Sequence, residues 1–365
     1  MRVGLVLPGF SADATDWCIP ALRHLARTLA TTDDVRVVAV RYPYRAARYA
    51  VDAAEVIALG GADRRGAATL ALWRTTLQTL SAEHRRRPFD VLHAFWATES
   101  GLLAAAAGRL LRIPTLVSLA GGELVSLRDI DYGDQRSAWE RLKVRASLRL
   151  ATTVTAGSHL LMALAGRHVQ HGKLHRAPLG VDLTLFQPDG RSETQPVRTL
   201  VTVGTLTRVK DHVTLLRAFA ALRRGGPDAT LQVVGDGPLR PDLEQLARRL
   251  RIDDSVCFLG EVDHGRLASI YRAADAFVLS SRHEAQGMVA LEAAACGLPV
   301  MGTRVGVLPE LTTAVAPVAD HHALANALAV SLESAPPNAA QRVVTEFGLR
   351  QCVDRFRGLY AGVRW

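Results

Sequence analysis

Two doubly wound α/β domains are the fold class that the sequence predicts, and three observations lead to it. The chain has 365 residues, more than one hydrophobic core usually serves, so two domains of roughly 170 residues each are expected. Short β-branched or leucine-rich runs alternate with longer amphipathic segments in both halves, the pattern of parallel strands covered by helices on both faces. A polar, proline-punctuated stretch at 187–198 separates the halves and carries no hydrophobic period.

In the first half the strand-like runs are Val3 to Leu7, Val35 to Val40, Val91 to His93 and Thr115 to Leu119. The second half has Thr199 to Val203, Leu231 to Val234, Val256 to Leu259, Ala276 to Leu279 and Pro299 to Met301. Ile19, Leu22, Leu25, Ala26 and Leu29 recur at helical spacing, which places a helix after the first strand with Asp16 as its expected N-cap. The organisation expected is a Rossmann-like domain at 1–186, a hinge at 187–198, a second Rossmann-like domain at 199–345, and a closing helix at 346–365 that packs back towards the first domain. Ligands of such sheets sit beyond the carboxyl ends of the strands.

Composition excludes several function classes. Hydrophobic residues make up 48% and charged residues 22%, ordinary globular values that argue against disorder or a fibrous repeat. The four cysteines, Cys18, Cys257, Cys296 and Cys352, form no CxxC pair, so neither zinc nor a disulfide scaffold is expected, and a reducing, cytoplasmic setting fits. The amino-terminal run ending at Pro8-Gly9 has no cleavage pattern and reads as a buried strand. No window reaches the roughly 18 to 20 uninterrupted apolar residues of a membrane-spanning helix.

The net charge is +9, but the basic residues are scattered over helical segments and aromatics are only 5%. A nucleic-acid platform is therefore not expected, whereas transient, peripheral contact with an anionic membrane surface is left open.

The most informative stretch is 280–300, where a strand ends at Leu279, a loop follows, and a helix runs from about Gly287 to Cys296 with Gly297 as its stop. The unpaired N–H groups at the start of such a helix, those of Gly287, Met288 and Val289, favour an anionic diphosphate. Glu284 lies just before the helix. Glu292 lies about a turn and a half into it and leans back towards the same ligand.

This stretch resembles the E-x7-E element of the family 4 (group 1) retaining glycosyltransferases, which have GT-B architecture, two Rossmann-like domains facing across a cleft. It matches at Glu284, Glu292, Ala293, Ala295, Gly297, Pro299 and Val300. The resemblance implies that Glu284 contacts hydroxyls of the transferred sugar and that Glu292 binds the ribose of the nucleotide.

The segment 203–212 extends the resemblance, with Lys210 at the position of the family lysine that neutralises the donor diphosphate. Five residues earlier the family usually has arginine, and this chain has Thr205; Arg208, in the same loop, is the candidate replacement. The Gly235-Asp236-Gly237-Pro238 turn and the segment 258–262 resemble parts that border the nucleotide, with backbone near Val262 expected at the base.

In the first half the resemblance places backbone at Gly9 near a donor phosphate or an acceptor. It aligns Asp90 to Ala97 with a histidine-rich strand end, so His93 is a candidate to touch substrate, although Phe95 stands where a second histidine is usual. Ala120 occupies the position of a histidine that helps to place the transferred sugar, and the main chain at Gly121 and Gly122 is the expected substitute. GxGxxG and GxxxxGK[ST] are both missing, which argues against a dehydrogenase and a P-loop NTPase.

The function implied is a retaining transfer of a sugar from a nucleotide-sugar donor to an unidentified acceptor hydroxyl. The leaving diphosphate takes the acceptor proton, no metal ion is needed, and no cofactor is expected. The alternatives are a nucleotide-sugar epimerase or hydrolase on the same fold, and a non-catalytic nucleotide-sugar-binding protein.

Overall fold

The computed structural model describes residues 1–188, 199–224, 228–333 and 339–362. Among these residues the first half runs β1 (Arg2–Gly9), α1 (Pro20–Leu29), β2 (Asp34–Tyr42), β3 (Ala46–Val51), β4 (Ala54–Leu59), α2 (Ala67–Arg86), β5 (Val91–Phe95), α3 (Glu99–Leu111), β6 (Thr115–Leu119), α4 (Ala138–Leu150), β7 (Thr153–Ala156), α5 (His159–Ala165) and β8 (Leu174–Arg176). The second half continues with β9 (Thr199–Val203), α6 (His212–Arg223), β10 (Thr230–Val234), α7 (Arg240–Leu250), β11 (Val256–Gly260), α8 (His264–Ala273), β12 (Ala276–Leu279), α9 (Met288–Ala295), β13 (Val300–Thr303), α10 (Leu308–Leu311), β14 (Val315–Ala316), α11 (His321–Glu333), α12 (Ala340–Glu346) and α13 (Leu349–Gly362).

Two compact units result, Met1–Gly180 with Leu349–Trp365 and Val181–Gly348. The first boundary falls after Gly180 rather than after residue 186, because Val181 and Phe186 are buried with Tyr271 in the core of the second unit. Of the expected hinge at 187–198, residues 189–198 lie outside the described residues.

The sheet of the first unit has the order β3-β4-β2-β1-β5-β6-β7-β8. It is parallel except for the β3–β4 hairpin at one edge, which turns at Asp52 with a φ of 53°. The inner strands β5 and β6 are buried at every position, as strands covered on both faces must be. α13 places Cys352, Phe356 and Tyr360 at helical spacing into the same core as β1, β5 and α1.

α1 departs from expectation at its start. Ile19 occupies the N-cap position with no side-chain cap, and Pro20 opens the helix, where its fixed φ is already helical and its missing N–H costs nothing. Asp16 does not cap this helix. It accepts instead from the Ala12 amide at 2.7 Å and the Tyr42 hydroxyl at 2.7 Å, fastening the loop after β1 to the end of β2.

The second unit is a parallel sheet of order β11-β10-β9-β12-β13-β14. The chain reverses direction of growth between β9 and β12, so the loops after β9, β10, β11, β12 and β13 gather beyond the carboxyl ends of the sheet at a switch point.

Candidate functional site

The loop after β9 carries Lys210 and the loop after β12 carries Glu284, and hydrogen bonds fasten the two loops together. The Arg282 amide donates to the Val209 carbonyl at 2.7 Å, and the Ser280 hydroxyl donates to the Lys210 carbonyl at 2.9 Å. Their side chains meet. Lys210 Nζ lies 2.6 Å from Glu284 Oε1, which also accepts from the Ser281 hydroxyl at 2.7 Å. Both are mostly withdrawn from solvent, so the pair is a fixed feature rather than a solvated surface contact.

Asp211 fixes the approach to α6 by accepting from the Thr214 amide and hydroxyl, at 3.2 and 2.8 Å. Next to it His212 is buried, and burial first and the Lys210 charge second push its imidazole down to about 4.

α9 begins at Met288, with Gly287 before it at a φ of 91°, a conformation that side chains rarely adopt. Its first-turn amides at Met288 and Val289 have no partners within the helix, and both residues are half-buried. Gly297, with a φ of 90°, ends the helix as expected, and Leu298 N–H returns to the Ala293 carbonyl.

Glu292 is buried on α9, where it meets His264 Nε2 at 3.2 Å and accepts from the Tyr271 hydroxyl at 3.3 Å, both partners belonging to α8. Burial, then the Glu292 charge, holds the Tyr271 phenol well above its ordinary value.

The remaining predicted residues of this unit lie on neighbouring loops. Thr205 and Arg208 are exposed after β9. Gly235 follows β10 with a φ of 123°, and a Cβ there would lie 2.2 Å from the Gly204 carbonyl oxygen, so only glycine lets these two loops approach. Val262 is half-buried after β11 and packs against the core.

In the first unit Gly9 is buried at the end of β1 beside Tyr42 and Cys18. Two expectations are corrected. His93 lies on no surface of this unit: it is 0% exposed, with Nδ1 2.7 Å from the Tyr360 hydroxyl and Nε2 2.8 Å from the Ser118 hydroxyl. Burial depresses it to about 3, so it is a neutral core residue joining β5, β6 and α13. Its strand end looked open in sequence because the covering helix comes 267 residues later.

The second correction concerns Gly121, whose main-chain N–H was expected to serve a ligand. It donates to Glu123 Oε2 at 2.7 Å, while the Ala120 and Ala97 amides donate to Glu123 Oε1 at 3.0 and 3.3 Å. Glu123 is 1% exposed, and burial raises its carboxyl above the ordinary value against the pull of these amides. Its role, like those of His264 and Tyr271, had no signal in the sequence beyond proximity to a motif.

Among the described residues no group of three His, Cys, Asp or Glu side chains is arranged to hold a metal ion. Nor is any helix long and apolar enough to cross a membrane.

Two doubly wound units, the second with an anion-favouring helix start beside a lysine and a glutamate, define a GT-B-type α/β protein. Sucrose-phosphate synthase from Thermosynechococcus elongatus has a similar fold, at 22% identity and a TM-score of 0.78, over 99% of this chain and 98% of that one. Anabaena HepE in complex with UDP-glucose is similar at 18% identity and a TM-score of 0.70, over 99% and 100% of the two chains.

The family model for a glycosyl transferase 4-like domain matches residues 19–180, and that for glycosyl transferases group 1 matches residues 197–334. The chain belongs to the group 1 glycosyl transferases. D-inositol 3-phosphate glycosyltransferase from Actinosynnema mirum is 34% identical over 257 residues, which span 64% of this chain and 61% of the relative's length.

Proposed function

We propose that the chain transfers a glycosyl group from a nucleoside-diphosphate sugar to an acceptor hydroxyl, with retention of configuration and without a metal ion. The observation that carries this reading is the Lys210–Glu284 pair at 2.6 Å, held beside the first turn of α9. A cation and the helix start together favour a diphosphate, and a carboxylate next to them accepts from sugar hydroxyls.

Donor binding exchanges partners: Lys210 turns from Glu284 to the diphosphate, and Glu284, still held by Ser281, takes the sugar hydroxyls. Glu292, fixed by His264 and Tyr271, is the acceptor for the ribose. Positive charge on Lys210 and the amides of Met288 and Val289 stabilise the departing diphosphate, whose oxygen takes the acceptor proton as the anomeric carbon becomes oxocarbenium-like. This path needs no base from the first unit, which agrees with His93 being in the core and with Ala120 in place of a histidine.

A UDP-sugar heads the donor panel because Anabaena HepE carries UDP-glucose, and inositol phosphates head the acceptor panel because the Actinosynnema relative is named for one. A second reading, donor hydrolysis or epimerisation, draws on the Gly121 amide being committed to Glu123; it predicts donor turnover with acceptor omitted. A binder that does no chemistry would hold donor and turn over none of it.

Melting shifts with UDP-, GDP- and ADP-sugars, followed by turnover with and without acceptor in the presence of a chelator, test the proposal. Acceptor-dependent release of nucleotide in chelator is the expected result. Strict dependence on Mg²⁺ or Mn²⁺ defeats the metal-free part, and donor binding unaffected by Lys210→Ala defeats the site.

A further inference from the structure

The first unit carries a cleft with a basic rim, apart from the strand ends where ligands of this fold sit. A cleft of about 800 Å³ is lined by Arg109, Arg145, Arg149, Arg167, His168 and Lys173, and no carboxylate lines it. Arg109 is in the last turn of α3, Arg145 and Arg149 are on the last two turns of α4, and Arg167 and His168 follow α5. Lys173 sits just before β8, its carbonyl accepting from Val154 of β7 at 2.8 Å. These segments lead into the amino ends of β6, β7 and β8, and Gln135, ahead of α4, extends the lining along that helix.

Two of the cations are partly occupied by the end of α4. Arg109 Nε donates to the Leu150 carbonyl at 3.3 Å, and Lys173 Nζ donates to the carbonyls of Arg149 and Ala151 at 3.2 and 2.9 Å. Such contacts offset the negative end of the helix dipole. Burial, and then the Arg109 charge, lowers the Lys173 ammonium below its ordinary value, a sign that the cations crowd one another.

Arg145, Arg149 and Arg167 are exposed, and among the described residues none of them has a carboxylate partner. Several other arginines do face a carboxylate. Arg23 faces Asp52 at 3.1 Å, Arg41 faces Glu99 at 2.7 Å, Arg136 faces Asp131 at 2.6 Å and Arg240 faces Asp236 at 3.0 Å. What sets the cleft apart is that four arginines and a lysine, and no carboxylate, line one concavity.

The geometry points to a binding site for clustered phosphate groups in this cleft, separate from the donor site. Guanidinium forks match phosphate oxygens two at a time, and the volume is that of a small-molecule site, typically about 300–1,000 Å³. Buried Val144, Leu148 and Val169 form an apolar floor that holds the cationic rim in place. The phosphates belong either to a soluble polyphosphorylated molecule or to the headgroups of an anionic membrane, against which the exposed Leu110 and Leu142 would rest.

The test uses the full chain carrying Lys210→Ala, so that phosphate binding at the donor site is weakened and the cleft's own contribution stands out. Inorganic tripolyphosphate is titrated by calorimetry, and sedimentation is measured with phosphatidylglycerol vesicles against phosphatidylcholine vesicles. Arg145→Glu/Arg149→Glu is compared with Arg248→Glu/Arg249→Glu, an equal charge change on exposed positions of α7 in the other unit.

The cleft variant is expected to lose tenfold or more in affinity for one or both probes, with the α7 variant within twofold of its parent. A loss confined to tripolyphosphate identifies a soluble ligand, and a loss confined to phosphatidylglycerol identifies a membrane. Arg167→Glu, on the turn across the cleft, must reproduce the effect, and this covers any misfolding of the double variant. Failure of the parent to bind either probe, or equal losses in the cleft and α7 variants, overturns the site.

Discussion

Lys210 Nζ and Glu284 Oε1 stand 2.6 Å apart, so the cation assigned to the diphosphate and the carboxylate assigned to the sugar satisfy one another across the β9 and β12 loops. Their separation sets a prediction. Lys210→Ala removes a charge-assisted hydrogen bond worth about 1.5–3 kcal/mol, or roughly ten- to a hundredfold in donor affinity. Glu284→Gln keeps the shape and is expected to hold donor while turnover falls. Calorimetry with the donor and steady-state kinetics separate the two effects, and equal loss of binding in both variants contradicts the assignment.

Glu292 has a structural partner set as well as a predicted ligand. Glu292→Ala leaves the His264 nitrogen and the Tyr271 hydroxyl without their buried acceptor, so a stability loss of about 1–3 kcal/mol should accompany weaker donor binding. Glu292→Gln should recover most of the stability and little of the donor affinity. Denaturant melts alongside nucleotide titrations read both quantities.

Arg208 and Thr205 share one exposed loop, which makes charge relocation testable. Arg208→Ala should raise the donor KM several-fold, and Thr205→Arg in that background should restore it. The rescue should weaken at high salt, because contacts between exposed groups are screened. A KM indifferent to both changes excludes Arg208 from the donor site.

His93 and His212 make stability depend on acid. Their folded values are pushed down to about 3 and about 4 from an ordinary 6.5, so between these limits the unfolded chain binds more protons than the folded one. Stability is therefore full above about pH 6.5 and falls as pH drops, by up to roughly 1.4 kcal/mol per pH unit for each histidine while only its unfolded form is protonated. His93→Gln should flatten the fall between pH 6.5 and 4 and leave the donor KM unchanged. A donor KM that rises with this variant returns His93 to the site.

Glu123 accepts three main-chain amides with its two oxygens. Glu123→Gln turns one oxygen into a donor facing an amide, and a loss of about 1–3 kcal/mol is expected. Hydrogen exchange at Ala97, Ala120 and Gly121 should speed up in the variant, and unchanged protection there argues against this carboxylate as the anchor of the loop.

What could be read from sequence follows the range of the interactions involved. β9 to β13 match their expected runs within a residue or two, because hydrophobic runs bounded by turns are local signals, whereas the two-residue β14 is too short to give one. Gly287 and Gly297 mark the ends of α9 for the same reason. The β3–β4 hairpin escaped notice because its alternating, half-exposed edge strand imitates a loop. Asp16 looked like a cap because cap chemistry and turn chemistry use the same residues, and its real partner, Tyr42, is on another strand. Lys210 and Glu284 could be named from motifs, but not that they meet, since 74 residues separate them. His93 lies in the core because its cover, Tyr360, comes from the far end of the chain, where no local pattern reaches.

That cover has a consequence for dividing the protein. A gene fragment ending at Gly180 would encode every strand of the first sheet and still lack Cys352, Phe356 and Tyr360, leaving His93 and the α1 face open to water. The residue after Gly180, Val181, donates to the Phe347 carbonyl at 2.8 Å and bridges to Gly348, so the outgoing and returning segments run side by side. Val181–Gly348 is thus spliced into the first unit like an inserted cassette. Excising it and bridging Gly180 to Leu349 should yield an independently folding half, whereas simple truncation should yield an aggregating one.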